Sequence, residues 1–251
     1  MHHDDWMTAV IALAALNTVT LTLLVIVRTA LQQALLDPLT GLPQRQLWTI
    51  TAAARYRGMR HPAVLMIDVN HLKRVNDQLG HAYGDLLIRI IAHEILHIAG
   101  PNALVGRLGG DEFAALIDLA PEHRADLAAA AQGCIVSVDG IISSAEFGAA
   151  QLTDLETHPE RHHEAGDDHH RRELSRLMRA ADLALLRAKA VRRASPAPTS
   201  PALAFYRRSS DGEVPHNFNT LPHSALLRIV APLLRIRPAR PNRRTPATTR
   251  P

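Results

Sequence analysis

The sequence predicts an α+β domain carried behind one long apolar helix. Three observations lead there. An uncharged run, residues 6–27, lies near the start of the chain. Behind it, apolar runs of strand length alternate irregularly with segments of helical period. Two of the strand runs are joined through Gly109-Gly110, a dipeptide suited to a hairpin. A hairpin makes neighbours antiparallel, so the expected architecture is a central, mostly antiparallel sheet flanked by helices and not a doubly wound parallel sheet.

Each element has a local reason. Residues 6–27, WMTAVIALAALNTVTLTLLVIV, hold no charge over 22 positions. At about 1.5 Å per residue they reach roughly 33 Å, enough for a bilayer core. Asn17 and the threonines are tolerable because a helix satisfies its own backbone. The preceding MHHDD lacks the basic start of a cleaved signal peptide. The expectation is a single-pass anchor in the cell membrane, with Arg28 and everything after it cytoplasmic. Residues 28–36 continue as a short helical stalk. Asp37-Pro38-Leu39-Thr40-Gly41-Leu42-Pro43 then breaks the helix.

Residues 44–58 read as a helix and Ala63–Val69 as a buried strand. Residues 84–99 place Leu87, Ile90, Ile91, Ile95 and Ile98 at helical spacing, stopped by Gly100-Pro101. Strands are expected at Ala103–Leu108 and Glu112–Leu119, then an Ala-rich helix at 121–133. Residues 134–151 are strand-like with a hydrophilic interruption, and 173–193 form a strong helix. The domain is therefore assigned to 37–193, with 153–172 as an inserted acidic, His-rich loop. Residues 194–251 contain ten of the 16 prolines and are expected to be mostly disordered, with one short amphipathic stretch at Ser224–Ile236.

Composition narrows the class. With 47% apolar and 4% aromatic residues among 251, the core must be built from Leu, Ile, Val and Ala. Wholly disordered, collagen-like and disulfide-rich chains are excluded. The one cysteine, Cys134, has no intramolecular partner. Charge is uneven: residues 194–251 carry nine Arg against Asp211 and Glu213, while the rest of the chain has 19 basic and 22 acidic residues. The overall +4 thus describes a tail and not a folded surface, and no nucleic-acid partner is expected.

Three acids stand at element ends. Asp68 closes the strand MIDV, and Asp111 and Glu112 follow the hairpin glycines. Apolar strands flank each, so their carboxylates should emerge together at one sheet edge, partly desolvated. Carboxylates without His or Cys favour a hard cation, Mg²⁺ or Mn²⁺. The plainer alternative makes Asp68 a helix cap and Asp111 a turn residue. The segment Asn70–Asp85 adds an amide (Asn76), an imidazole (His81) and a carboxylate (Asp85), and an amide with a carboxylate complements the edge of guanine.

Four ordered motifs now bear on a family: DPLTGLPQR (37–45), IDVNHLKRVNDQLGHAYGD (67–85), RLGGDEF (107–113) and ADLALLRAK (181–189). Together they resemble the GGDEF-domain diguanylate cyclases, enzymes with a nucleotidyl-cyclase-like, ferredoxin-like core that condense two GTP into cyclic di-GMP and two pyrophosphates. The resemblance implies Asp68, Asp111 and the Val69 carbonyl as metal ligands, with two Mg²⁺ (or Mn²⁺) per active site. It implies Asn76 and Asp85 at the guanine, His81 near the nucleoside, and Lys73, Lys189 and Arg193 on the triphosphate. Asp111 or Glu112 would help deprotonate the attacking 3′-hydroxyl. One site binds one GTP, so the resemblance also implies a homodimer. Lys73 and Lys189 are the chain's two lysines beside 26 arginines, and both fall on phosphate positions, where a compact ammonium differs from a planar guanidinium.

Departures from the family pattern are Asn70 for an acid, Leu72 for Phe, Leu186 for Tyr and Arg192 for Gly. Gly100–Ala103 stand where the product-inhibition motif R-x-x-D is expected, so feedback through that motif is not predicted. Two other functions compete. One is a GGDEF-like module that binds GTP for signalling with weak or no turnover. The other is a zinc metalloprotease, from the H-E-x-x-H match at His93-Glu94-Ile95-Leu96-His97. The five His of the inserted loop (158, 162, 163, 169, 170) offer a transition-metal alternative to a merely charged loop.

Overall fold

A computed structural model describes residues 3–155, 167–194 and 203–215. The chain begins with α1 (His3–Leu35), one unbroken helix that merges the expected span and stalk. Within Trp6–Leu35 the most apolar 18-residue window has a mean hydropathy of 2.5, and the helix is long and apolar enough to cross a membrane. Thr18, Thr20, Thr22 and Thr29 each donate their hydroxyl to the carbonyl four residues earlier, which hides these polar groups on an apolar rod.

The domain then runs α2 (Arg45–Tyr56), β1 (Pro62–Val69), α3 (Leu72–Leu79), α4 (His81–Ala99), β2 (Leu104–Arg107), β3 (Glu112–Asp118) and α5 (Arg124–Gln132). It continues with β4 (Ile135–Val138), β5 (Ile141–Gln151), α6 (Leu152–Leu155), α7 (Asp167–Ala194), β6 (Leu203–Phe205) and α8 (Arg208–Asp211). The sheet order is β2-β3-β1-β5-β4, antiparallel throughout that path, with β6 added parallel to β5. This is the expected α+β architecture, a mostly antiparallel sheet flanked by helices.

The period-2 rule divides β1 between two cores. Ala63, Leu65, Ile67 and Val69 join the layer with α4 and α5, which includes Phe113 and Phe147. Val64 and Met66 face the opposite layer, with Trp48 of α2 and Leu177, Ala181 and Leu185 of α7. Asp68 is next in the second series, so its carboxylate belongs to the α2/α7 face of the sheet. Trp48 is fully buried and donates its indole N–H to the Leu104 carbonyl at 2.9 Å.

Several boundaries differ from those expected. The polar segment after Asp68 folds into α3, and Gly80 (φ 90°) turns it directly into α4, which starts at His81 and not at 84. The hydrophilic interruption of 134–151 is a tight turn at Asp139-Gly140, with φ of 46° and 82°, separating β4 from β5. The His-rich insertion is shorter than its assigned 153–172: Thr153–Leu155 belong to α6 and 167–172 to α7. His158, His162 and His163 lie outside the described residues. The tail assigned to 194–251 gives up residues 203–215 to the domain. Leu203–Phe205 bond to β5, and Arg187 of α7 bonds the Phe205 carbonyl and the Asp211 carboxylate. Paired strand edges and a shielded ion pair outweigh the Pro-rich surroundings there. The stretch 224–236 lies outside the described residues.

Candidate active site

The site is built where three strands end together. Asp68 on β1 stands directly opposite Glu112 on β3 and directly opposite Glu146 on β5. Opposed residues of antiparallel neighbours project to the same face, so three carboxylates line one row across the sheet. The Val69 N–H donates to the Asp111 carbonyl at 3.0 Å, tying the end of β1 to the hairpin. The hairpin closes through Leu108 and Gly109 N–H groups, both donating to the Glu112 carbonyl. Neither glycine has positive φ, so the expected glycine turn is explained differently. A Cβ on Gly109 would lie 3.0 Å from a Glu112 carboxylate oxygen, and room is what that position supplies.

Helix α7 brings cations over this row. The Lys189 ammonium sits 2.8 Å from the Asp68 carboxylate. Three residues on, the Arg192 guanidinium contacts the Glu146 carboxylate, which is almost wholly buried. Burial pushes the Asp68 carboxyl above its ordinary value, Lys189 pulls it back, and Asp111 pushes it up again. Glu146 is raised by burial first, held down by Arg192 and raised again by Asp68. Asp68, Asp111 and Glu146 are thus close enough to feel one another. Glu146 was missed in the sequence; its signal was a charged residue inside an otherwise small and apolar strand run.

The other expected site residues lie on α3 and α4, in the layer packed against the opposite face of the sheet, and at the end of α7. Lys73 is exposed on α3, and His81 and Asp85 are exposed in the first turns of α4. Asn76 is half-buried against α4: a Cβ on Gly84 would sit 1.9 Å from its Oδ1, so the missing side chain makes room for the amide. Arg193 is exposed at the end of α7. The structure therefore joins Asp68, Val69, Asp111, Glu112 and Lys189 closely, and gathers Asn76 with the start of α4. Arg193 is close enough to Glu146 for its charge to favour the ionised carboxylate.

The 37–45 motif has a structural task. Asp37 accepts from the Thr40 N–H and hydroxyl at 2.9 and 2.7 Å, and from Arg107 at 3.1 Å through both carboxylate oxygens. Arg107 in turn donates to the Gly110 carbonyl at 2.7 Å. Arg45 reaches the Leu108 carbonyl at 3.3 Å and Glu112 at 3.1 Å. The segment leaving α1 is thereby pinned to the acidic hairpin. Asn70, standing where the family has an acid, is buried and donates its amide to Ser144 Oγ at 3.1 Å, locking β1 to β5.

The donor set suits a hard divalent ion: carboxylates of Asp68 and Asp111 with a backbone carbonyl, and a lysine ammonium already drawn onto Asp68 as a cation. The zinc alternative finds less. His93 and His97 are exposed on α4 with rings 4.5 Å apart, on a helix packed against the opposite face of the sheet from Asp68.

Comparison with known proteins places the fold and the motifs. Residues 34–195 match the sequence profile of the family described as diguanylate cyclase, GGDEF domain. The chain is 38% identical over 90 residues to the diguanylate cyclase DgcP of Pseudomonas aeruginosa, covering 34% of this chain and 13% of that protein. It is also 38% identical over 101 residues to the cyclic di-GMP phosphodiesterase NbdA of Pseudomonas aeruginosa, covering 38% of this chain and 13% of that protein. It spans only a small part of both relatives. Among solved structures, the isolated GGDEF domain of TpbB (YfiN) from Pseudomonas aeruginosa superposes with a TM-score of 0.52 at 28% identity, covering 70% of this chain and 96% of that domain. A profile match over well more than half the chain means that the chain belongs to the diguanylate cyclase GGDEF-domain family.

Proposed function

We propose that this chain is a membrane-anchored diguanylate cyclase that joins two GTP into cyclic di-GMP and releases two pyrophosphates. The observation that supports this most is the convergence of Asp68 and the hairpin acids beneath Lys189, an acidic metal-type donor set with a phosphate-type cation on one sheet edge. Asp68, Asp111 and the Val69 carbonyl would hold Mg²⁺ or Mn²⁺, two ions per site. When bound, such ions activate the attacking hydroxyl and stabilise the leaving pyrophosphate.

The chain's own residues supply the rest. The Asn76 amide donates to and accepts from the guanine edge, the Asp85 carboxylate accepts from its N–H groups, and His81 lies beside the nucleoside. Lys189, paired with Asp68 here, would serve the triphosphate when Asp68 holds a divalent ion. Lys73 and Arg193 add charge that offsets the developing negative charge of the leaving group. Asp111 or Glu112 takes the proton of the 3′-hydroxyl. Each domain positions one GTP, so two copies face each other as a homodimer, and α1 with its stalk raises the effective concentration of the halves. The catalytic domain lies on the cytoplasmic side of α1.

The test uses the full chain in detergent micelles with GTP and Mg²⁺. Cyclic di-GMP and pyrophosphate from the wild type, lost in Asp111→Asn while the fold persists, support the proposal. Binding of GTP without product would instead make the chain a GTP-responsive signalling module.

A further inference from the structure

The row of acids contains one residue with no task in the reaction above, Glu146. It is 1% exposed, stands in register with Asp68, and points to the same face under α7. Burying a carboxylate there is costly unless a cation meets it. Arg192 does so, and it occupies a position where the family carries Gly, a residue without charge. Lys189 and Arg192 are three residues apart on α7, hence neighbours on one helix face. Two acids on the sheet thus confront two cations on the helix, and the pairing is ordered: Lys189 on Asp68, Arg192 on Glu146.

Alternative pairing is the hazard. Glu146 lies directly beside Asp68 across the strand pair, so the ammonium that serves Asp68 is also within the electrostatic reach of Glu146. Were Asp68 to hold a divalent ion, Lys189 would be free to serve a phosphate. An unpaired buried carboxylate at that moment would compete for it.

Building on the cyclase reading, we propose that Arg192 is a positioning residue which neutralises Glu146 and so keeps Lys189 available for the GTP triphosphate. Arg192 acts through Lys189 and does not itself contact the substrate. The pair forms one unit, so a variant that removes both charges restores what the loss of Arg192 takes away.

The experiment measures GTP affinity by equilibrium dialysis with Mg²⁺, the KM and kcat for GTP, and the melting temperature. It uses the full chain in micelles and compares wild type with R192A, R192K, E146Q and R192A/E146Q. Expected for R192A is a rise in KM of about tenfold, the size of one charged hydrogen bond, with a smaller change in kcat. R192K keeps the charge and stays near wild type. R192A/E146Q returns to near-wild-type KM, and this comparison holds even if R192A alone does not fold. A merely structural pair would lower the melting temperature while leaving KM unchanged, overturning the proposal. A double variant that folds but keeps the high KM would mean that Arg192 binds the nucleotide directly, which also overturns it. Wild type that binds no GTP overturns the cyclase reading and this inference together. Wild type that binds GTP without product overturns turnover alone, and the affinity series then decides.

Discussion

Gly148→Ala tests whether the seating of α7 on β5 holds the candidate site together. A Cβ at position 148 would lie 2.1 Å from the Ala181 carbonyl oxygen, 2.3 Å from the Leu185 backbone nitrogen and 2.7 Å from the Leu185 Cβ. None of these atoms can swing aside, because all are fixed to the helix. Ordinary contact begins near 3.4 Å, so α7 must lift by more than about 1 Å to admit one methyl group. Overpacking of this kind costs about 3 kcal/mol, the upper end of the usual range. At about 2–4 °C per kcal/mol for a domain of this size, the melting temperature should fall by about 6–12 °C. Lys189 lies one turn beyond Leu185, so the lift is passed to the ammonium over Asp68. A misplacement of about 1 Å in a reacting assembly costs on the order of a hundredfold in rate. The assay is thermal unfolding beside GTP turnover, with Gly58→Ala as the control, since a Cβ there meets only the Arg55 carbonyl at 3.8 Å. Should Gly148→Ala melt and turn over like the wild type, the packing argument for the site is wrong.

Three further outcomes follow from the same geometry. Gly84→Ala would drive a Cβ to 1.9 Å from Asn76 Oδ1, a movable side-chain end, so GTP KM should rise by about tenfold or more while the melting temperature falls by only about 2–4 °C; equal loss of both would refute a guanine-reading Asn76. Burial pushes the Asp37 carboxyl up, but hydrogen bonds from Thr40 and Arg107 pull harder, and its value rests below the ordinary 3.8. That stabilisation is present above the unfolded value and lost as pH falls through the folded one, so Asp37→Asn should melt earlier than wild type near pH 7, with the gap closing as pH drops below about 3.8. Cys134 is fully buried and its thiol is pushed up to about 11, chiefly by burial, so iodoacetamide should label it only after unfolding; rapid labelling of the native chain would contradict its placement.

Much of this was legible in residue order because the deciding forces are local. An uncharged 22-residue run can satisfy itself only as a helix, and α1 is one. Apolar runs with period 2 or 3.6 located β1, α4, β2, β3 and α7. The acids at strand ends announced an edge site because flanking apolar residues leave a carboxylate little choice of side. Two features were hidden. Leu203–Phe205 is too short and too deeply set among prolines to read as a strand; only the open edge of β5 recruits it. Helix α3 has eight residues and a single buried one, Val75, so its period was invisible against a polar background.

The amino-acid order by itself determined the apolar helix, the mostly antiparallel α+β layer and the identity of the acids and lysines proposed for the chemistry. Register and helix docking determined who meets whom. Pairing across β1 and β5, residues about 80 positions apart, placed Glu146 beside Asp68, and the seating of α7 on Gly148 brought Arg192 and Lys189 onto them. Such contacts depend on the summed packing of two cores and not on any neighbour in sequence, so they exist only once the chain has folded.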